Sequence, residues 1–456
     1  MKPNLSLSAS DLVPAIQRAV ALASDKSRRL DARWRPADGA PVFTVDGRYT
    51  ARGWTQWTQG FQYGIALLCF DLTGNRALLE SARQHVLRDM AEHLTHTGVH
   101  DHGFNNVSTY GQLRRLMLAG RIERDEWELN FYELALKVSG AVQAARWTAL
   151  PSGLGFIHSF NGPHSLFIDT IRSLRIVGLS HALGHALCGE QDMRINLLSR
   201  LATHALTSAQ FSIYYGEGRD FYDTPDQRGR TVHEAIFNTV SGVFRCPSSQ
   251  QGYSPFTTWT RGLAWAMLGY AEQLEFLRSL PDSDFGIDGV PPRAGLLATV
   301  ERAARATCDF YIARASALDG ICYWDTGAPN LHCLGDWQSR PADPFNAFEP
   351  VDSSASAIAA QGLIRLGHAL GAEGRNYTQA GLTVLARLLE EPYLSTDSAL
   401  EGLLLHSVYH RPNGWDAISA GQQVPCNESS MWGDYHLLEA MHLVARMAED
   451  SYVTFF

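Results

Sequence analysis

Apolar residues recur along this chain at the spacing of helix faces and hardly anywhere at the alternation of strands, which narrows the folds open to it. Trp54, Trp57, Phe61 and Leu68 line one such stripe, Trp259, Leu263, Met267, Tyr270 and Leu274 a second, and Ile358, Leu363, Leu366 and Leu370 a third. A longer pattern lies over these stripes: an apolar helix stops at a Gly-containing turn and a second helix follows. It is found in "CFDLTGNRALLESARQHV", in "HALCGEQDMRINLLSRLATHAL" and in "HALGAEGRNYTQAGLTVLARLL", with glycine as the helix stop. These segments read as αα-hairpins. Hairpins packed side by side bury their inner faces in an open solenoid or in a closed ring, and no strict short repeat supports a solenoid. The expectation is all-α: a closed double ring of helices whose axial cavity is reached through the inter-helix loops.

No Ser/Gly-rich linker or charge block divides the 456 residues, so residues 1–456 are read as one domain. A composition of 45% hydrophobic and 19% charged residues supplies a large core. The longest irregular stretches, about Tyr215 to Thr257 and about Asp325 to Val351, carry aromatic, Gly, Pro, His and Arg residues, as functional loops of that length do. The net charge of −9 is spread along the chain without a basic run, which excludes a nucleic-acid partner and makes individual arginines in apolar settings the candidates for gripping a small anion. Seven cysteines at 69, 188, 246, 308, 322, 333 and 426 form no CxxC pair and read as reduced thiols. With no signal-peptide stretch and no run of 18 apolar residues, the expectation is a soluble cytoplasmic protein with no membrane partner. The sequons at Asn4, Asn106, Asn376 and Asn427 read as chance occurrences in such a chain.

The residues that bear chemistry are few. "HDHGFNN", residues 100–106, flanks Asp101 with His100 and His102 in a stretch read as loop because of its Gly and Asn content. Adjacent loop residues do not aim three side chains at one ion, "VHEAIF" lacks a second His at helical spacing, and no metal is expected. The chain has no phosphate-binding Gly motif and implies no cofactor. Asp169 lies in "SLFIDTIRSLRIV", where apolar neighbours bury it. A buried carboxyl holds its proton closer to neutral pH, and Asp101 beside it would raise that pKa further. Pairing of Asp169 with Arg172 or Arg175 at helical spacing is the alternative, and the residues alone leave both open. In "QGYSPFTTWTRGLAW", residues 251–265, Arg261 suits a carboxylate and Trp259 a sugar face, or both simply start an aromatic core helix.

Eight segments, taken in order, resemble the unsaturated glucuronyl hydrolases, glycoside hydrolase family 88, and more distantly the unsaturated rhamnogalacturonyl hydrolases. They are "WTQGF" at 57–61, "HDHGF" at 100–104, the Asp169 helix, "QGYSPFTTWTRGLAW", "CYWD" at 322–325, "DSSASAIAAQGL" at 352–363, "YHRP" at 409–412 and "WGDYHLLEA" at 432–440. The resemblance implies an (α/α)6 barrel and a substrate left by polysaccharide lyases, a di- or oligosaccharide ending in a 4,5-unsaturated uronic acid. It also implies hydration of the vinyl ether, with a proton added at C4 and water at C5, after which the hemiketal collapses. That route needs one acid and no covalent nucleophile, unlike the two-carboxylate scheme.

Carried over by position, Asp169 resembles the general acid/base and Asp101 the partner that raises its pKa, with His100 in the same pocket. Trp57 would stack on the sugar ring. His233, Gln251, Trp259 and Arg261 would contact the unsaturated sugar, Arg261 by a bidentate grip on its carboxylate, and Tyr409 and His410 would lie near the leaving sugar. This chain departs from the family's pattern after Asp169 ("TIRSLRIV") and before Trp259 (Pro255, Phe256, Thr257). The aromatic the family places before its catalytic Asp has Phe160 as its nearest counterpart. The alternatives are a rhamnogalacturonan-specific or saturated uronosidase on the same barrel, a catalytically inactive sugar-binding barrel, and an epimerase-type αα-barrel built on histidine pairs. The sequence leaves oligomeric state, linkage and sulfation open.

Overall fold

The computed structural model describes residues 1–52 and 56–456; Trp54, the first residue of the first apolar stripe, lies outside them. Among the described residues, helices alternate between two rings. The outer ring holds α1 (Ala9–Arg33), α3 (Arg76–Asp89), α5 (Glu126–Ala145), α7 (Leu197–Ser212), α9 (Arg293–Phe310) and α11 (Arg375–Leu388). The inner ring holds α2 (Gln59–Thr73), α4 (102–118, with Val107–Gly111 in π geometry), α6 (170–182), α8 (Thr260–Ser279), α10 (Ser353–Leu370) and α12 (Met431–Ala448). α12 packs on α2 and closes the ring, which makes an (α/α)6 barrel.

The two rings differ in sequence for a physical reason. Inner helices are covered on every side: α8 is buried from Thr260 through Leu277 and α10 from Ser353 through Gly367. Outer helices bury one stripe, as α3 does with Leu78, Leu79, Ala82 and Val86. Buried charges on the inner helices pair from helix to helix. Arg172 meets Glu272 at 3.1 Å and Glu439 at 2.8 Å, Arg175 meets Glu439 at 3.3 Å, and Arg365 meets Glu275 at 2.9 Å. Arg172 and Arg175 are therefore engaged inside the barrel, and neither pairs with Asp169.

Two of the three expected hairpins form as read, with Gly74 at φ 72° and Gly371 at φ 60° ending their helices. The third differs. The helix before it ends at Ala182, Gly184 follows at φ 75°, and a small β-hairpin, Leu187–Cys188 against Arg194–Ile195, comes before α7 begins. "HDHGFNN" also departs from its loop reading, because residues 102–106 are helical and open α4. Gly103 fits there because α6 crosses so closely that a Cβ would stand 2.0 Å from the Ser173 carbonyl oxygen. The asparagines find partners within the fold: Asn105 accepts from the Gly60 N–H, and Asn106 donates to Ser139 Oγ.

Short strands shape the loops at one end of the barrel. Ser165–Phe167 pairs antiparallel with Glu234–Phe237, which pairs in turn with Phe244–Ser248. With three to five residues each, these strands are too short to show a period of two in sequence. No helix among the described residues is long and apolar enough to cross a membrane.

Candidate active site

The three-stranded sheet delivers three site segments to one place. Its first strand runs through Ile168 into Asp169, its second begins just after His233, and its third ends before Gln250 and Gln251. The Ile168 N–H donates to the His233 carbonyl and fixes the first two against each other. The N-terminal end of α4 brings His100 and Asp101, that of α8 brings Trp259 and Arg261, and the segment before α12 brings Tyr409 and His410. All of these but Ile168 and His233 line a cavity of about 70 Å3, together with Trp57, Phe104, Phe160, Trp265 and Trp415.

At its polar end stand three groups in a row. His100 Nε2 lies 3.1 Å from Asp169 Oδ1 and 3.9 Å from Asp101 Oδ1, and all three residues are buried. Burial pushes the His100 pKa down, but the charges of Asp101 and Asp169 and the hydrogen bond to Asp169 outweigh it, and the net shift is above the ordinary imidazole value. Burial raises the Asp101 carboxyl, which stays above the ordinary carboxylate range. Burial also raises Asp169, yet its hydrogen bond and ion pair with His100 bring it below that range. This corrects the sequence expectation. Asp101 does not act on Asp169 unopposed, because His100 sits between them; in the unliganded protein Asp169 is the favoured anion and Asp101 the carboxyl with the raised pKa. Neither carboxylate caps its helix.

A second correction concerns Arg261, whose fork is already full. Nη1 donates to Asp352 Oδ2 and the Val408 carbonyl, both at 2.7 Å, and Nη2 donates to the Tyr409 carbonyl at 2.7 Å and Gln251 Oε1 at 3.1 Å. A bidentate grip on a substrate carboxylate has no donors left on those nitrogens. The guanidinium instead ties the α8 start to the 408–409 backbone, lies 4.7 Å from the Trp259 ring, and turns Gln251 so that its amide NH2 is the end left free of Arg261.

His233 departs from its expected place as well. It lies behind the pocket wall, between the Phe167 ring at 4.3 Å and the Trp259 ring at 4.7 Å. Its Nδ1 accepts the main-chain N–H groups of Gln250 and Gln251 at 3.0 and 3.2 Å, so it shapes the loop that presents Gln251. Burial holds its pKa down at about 4, and the ring is neutral. The "CYWD" aspartate plays a similar part: Asp325 accepts from the Tyr253 N–H at 2.9 Å.

The remaining expected residues line the cavity. Trp57 stacks on Trp432 at 5.2 Å, and Phe160 lies parallel to the His100 ring at 6.0 Å. Gln250, Trp265 and Trp415 were not read as site residues from sequence. Trp265 sits inside a quoted motif, whereas Trp415, in the aperiodic "PNGWD" turn, carries no pattern to find it by.

No family model matches this chain. It is 26% identical over 410 residues to the unsaturated glucuronyl hydrolase of Bacillus sp. strain GL1, covering 86% of this chain and 87% of the relative. The chain is thus similar over most of its length to the unsaturated glucuronyl hydrolases. The unsaturated chondroitin disaccharide hydrolase of Streptococcus pyogenes serotype M1 is 25% identical over 453 residues, covering 95% of this chain and 91% of its own. Among solved structures, the Bacillus sp. GL1 unsaturated glucuronyl hydrolase superposes with a TM-score of 0.70 at 22% identity, over 97% of this chain and 99% of that one. An unsaturated glucuronyl hydrolase specific for heparin superposes with a TM-score of 0.71 at 19% identity and the same coverage. These two superpositions establish the shared fold.

Proposed function

We propose that this chain, as a single catalytic domain, releases a 4,5-unsaturated uronic acid from the non-reducing end of lyase-generated oligosaccharides by hydrating the vinyl ether. The observation that carries the reading is the Asp101–His100–Asp169 row at the end of an aromatic-walled cavity, on the barrel its relatives share. Trp57 and Trp259 offer faces for the sugar, and the Gln251 amide donates to its carboxylate from a position set by Arg261 and His233.

The uronate brings a further negative charge beside Asp169. That charge disfavours the carboxylate form and lifts the Asp169 pKa, so the acid is made by the substrate that needs it. Asp169 delivers this proton to C4, leaving an oxocarbenium ion across C5 and the ring oxygen. Water adds at C5 and returns a proton to Asp169. The resulting hemiketal opens, C1 becomes a hemiacetal, and the leaving sugar departs with its own oxygen. One water is consumed, and no covalent enzyme intermediate forms. His100 holds Asp169 in place and spreads the charge, while Asp101 keeps the imidazolium compensated. The unpaired cysteines agree with work in a reducing compartment, the cytoplasm.

The test is a parallel assay of unsaturated products made by lyases from glycosaminoglycans, pectin, gellan and ulvan, followed by loss of enol-ether absorbance. In heavy water the product should carry deuterium at C4. Absorbance stable across the whole panel would reject the proposal.

A further inference from the structure

Resting on that reading, we infer that Trp415 is the platform on which the leaving sugar stacks, and that it sets the preference for a second pyranose ring. C1 stands opposite C4 across a six-membered ring, so a sugar placed with C4 at Asp169 points its glycosidic oxygen toward the wall to which the acid does not belong. Tyr409, His410 and Trp415 line the same cavity from the chain segment before α12, apart from the loops that carry the acid.

The cavity supports the same division. At about 10–15 Å3 per water on this measure, 70 Å3 has room for about six waters, close to the volume of one sugar ring and too little for two. A second ring must lie at the mouth, where Trp415 is only half-buried.

The indole is held ready for such a contact. The chain turns sharply after His410, with Gly414 at φ 63°, and the Trp415 N–H returns to the His410 carbonyl at 3.2 Å. Arg52 Nη2 donates to the Trp415 carbonyl at 2.9 Å, and Asp416 Oδ1 accepts the Tyr409 N–H at 2.5 Å. The Trp415 ring rests 4.8 Å from His410 and 5.3 Å from Tyr409. It is not in ring contact with His100, Phe160 or Phe167, the aromatic groups around the catalytic row. A rigid, half-buried indole that lines a sugar-sized cavity suits the C–H face of a pyranose.

The experiment compares two substrates of one enzyme: an unsaturated uronyl disaccharide, and the methyl glycoside of the same unsaturated uronic acid, which has no second ring. Trp415→Ala should lower kcat/KM about tenfold on the disaccharide, mostly through KM, and the loss should be at least fivefold smaller on the methyl glycoside. Trp415→Phe should recover most of the disaccharide rate, and its melting temperature checks that the turn still folds. Equal losses on both substrates would overturn the inference, as would no loss on the disaccharide. A wild-type enzyme that consumes neither glycoside would instead reject the proposed function, and the platform with it.

Discussion

Replacing Arg261 by Lys separates the role the structure gives this residue from the one its sequence context suggests. The guanidinium satisfies four acceptors: Asp352, the carbonyls of Val408 and Tyr409, and Gln251 Oε1. An ammonium keeps the charge and reaches Asp352 with one neighbour, leaving about two buried acceptors without a donor. At about 1–3 kcal/mol for each acceptor left unpaired, the variant should lose about 4 kcal/mol of folding stability, read by denaturant unfolding. Because Gln251 loses its orientation, kcat/KM should fall about 100-fold, about 2.7 kcal/mol. The decisive comparison uses the methyl ester of the uronate, which has no anionic carboxylate. If Arg261 acts through Gln251, the variant loses stability together with rate, and the ester, whose carbonyl still accepts from the Gln251 amide, keeps part of the penalty. A variant as stable as wild type, with a penalty that vanishes on the ester, would show that Arg261 is the anion anchor and that this reasoning is wrong.

Other outcomes follow from the same groups. His100→Gln removes the cation between Asp101 and Asp169, so the Asp169 carboxyl moves from below the ordinary range to above it. In wild type its depressed pKa contributes stability that is present above about pH 4 and lost as pH falls. The stability gap between wild type and variant should therefore widen by about 1–2 kcal/mol between pH 4 and pH 6, and a constant gap would contradict the charge assignment. Asp71, whose side chain is fully buried, accepts from His442 at 2.6 Å, Arg446 at 2.7 Å, Arg115 at 2.8 Å and Arg121 at 2.9 Å. Burial alone would raise its pKa, but these partners hold it well below the usual carboxylate range. Asp71→Asn should cost about 3–5 kcal/mol at pH 7 while sparing kcat, and a loss below about 1 kcal/mol would show that the cluster is not held by its charge.

The barrel was legible because apolar residues recur at helical spacing and paired helices meet at Gly-containing turns, which pointed to a closed ring of αα-hairpins. The hairpins at 69–86 and 368–389 end at glycines as read. The segment at 185–206 was misread because Gln191 and Asp192, both at positive φ, build a β-turn that carries no mark stronger than the nearby Gly189. Helix α4 was hidden for the opposite reason: Gly103, Asn105 and Asn106 are poor helix formers taken one by one, and only the close crossing of α6 and the partners around them make them suitable. At the site, residue type located nine of the ten expected residues on the cavity wall, but contacts across the fold decide roles. The occupied fork of Arg261, the place of His233 behind the wall and the order of the two aspartate pKa values each depend on partners 10 to 148 positions away.

The central claim is that Asp169 moves the proton, and Asp169→Asn tests it most directly. Asn keeps the size of the side chain and cannot act as acid or base. Measured on the disaccharide that wild type consumes fastest, the account predicts a fall in kcat of about 1,000-fold or more, with the folded state and substrate binding retained. A near-normal rate of enol-ether loss in that variant would contradict it.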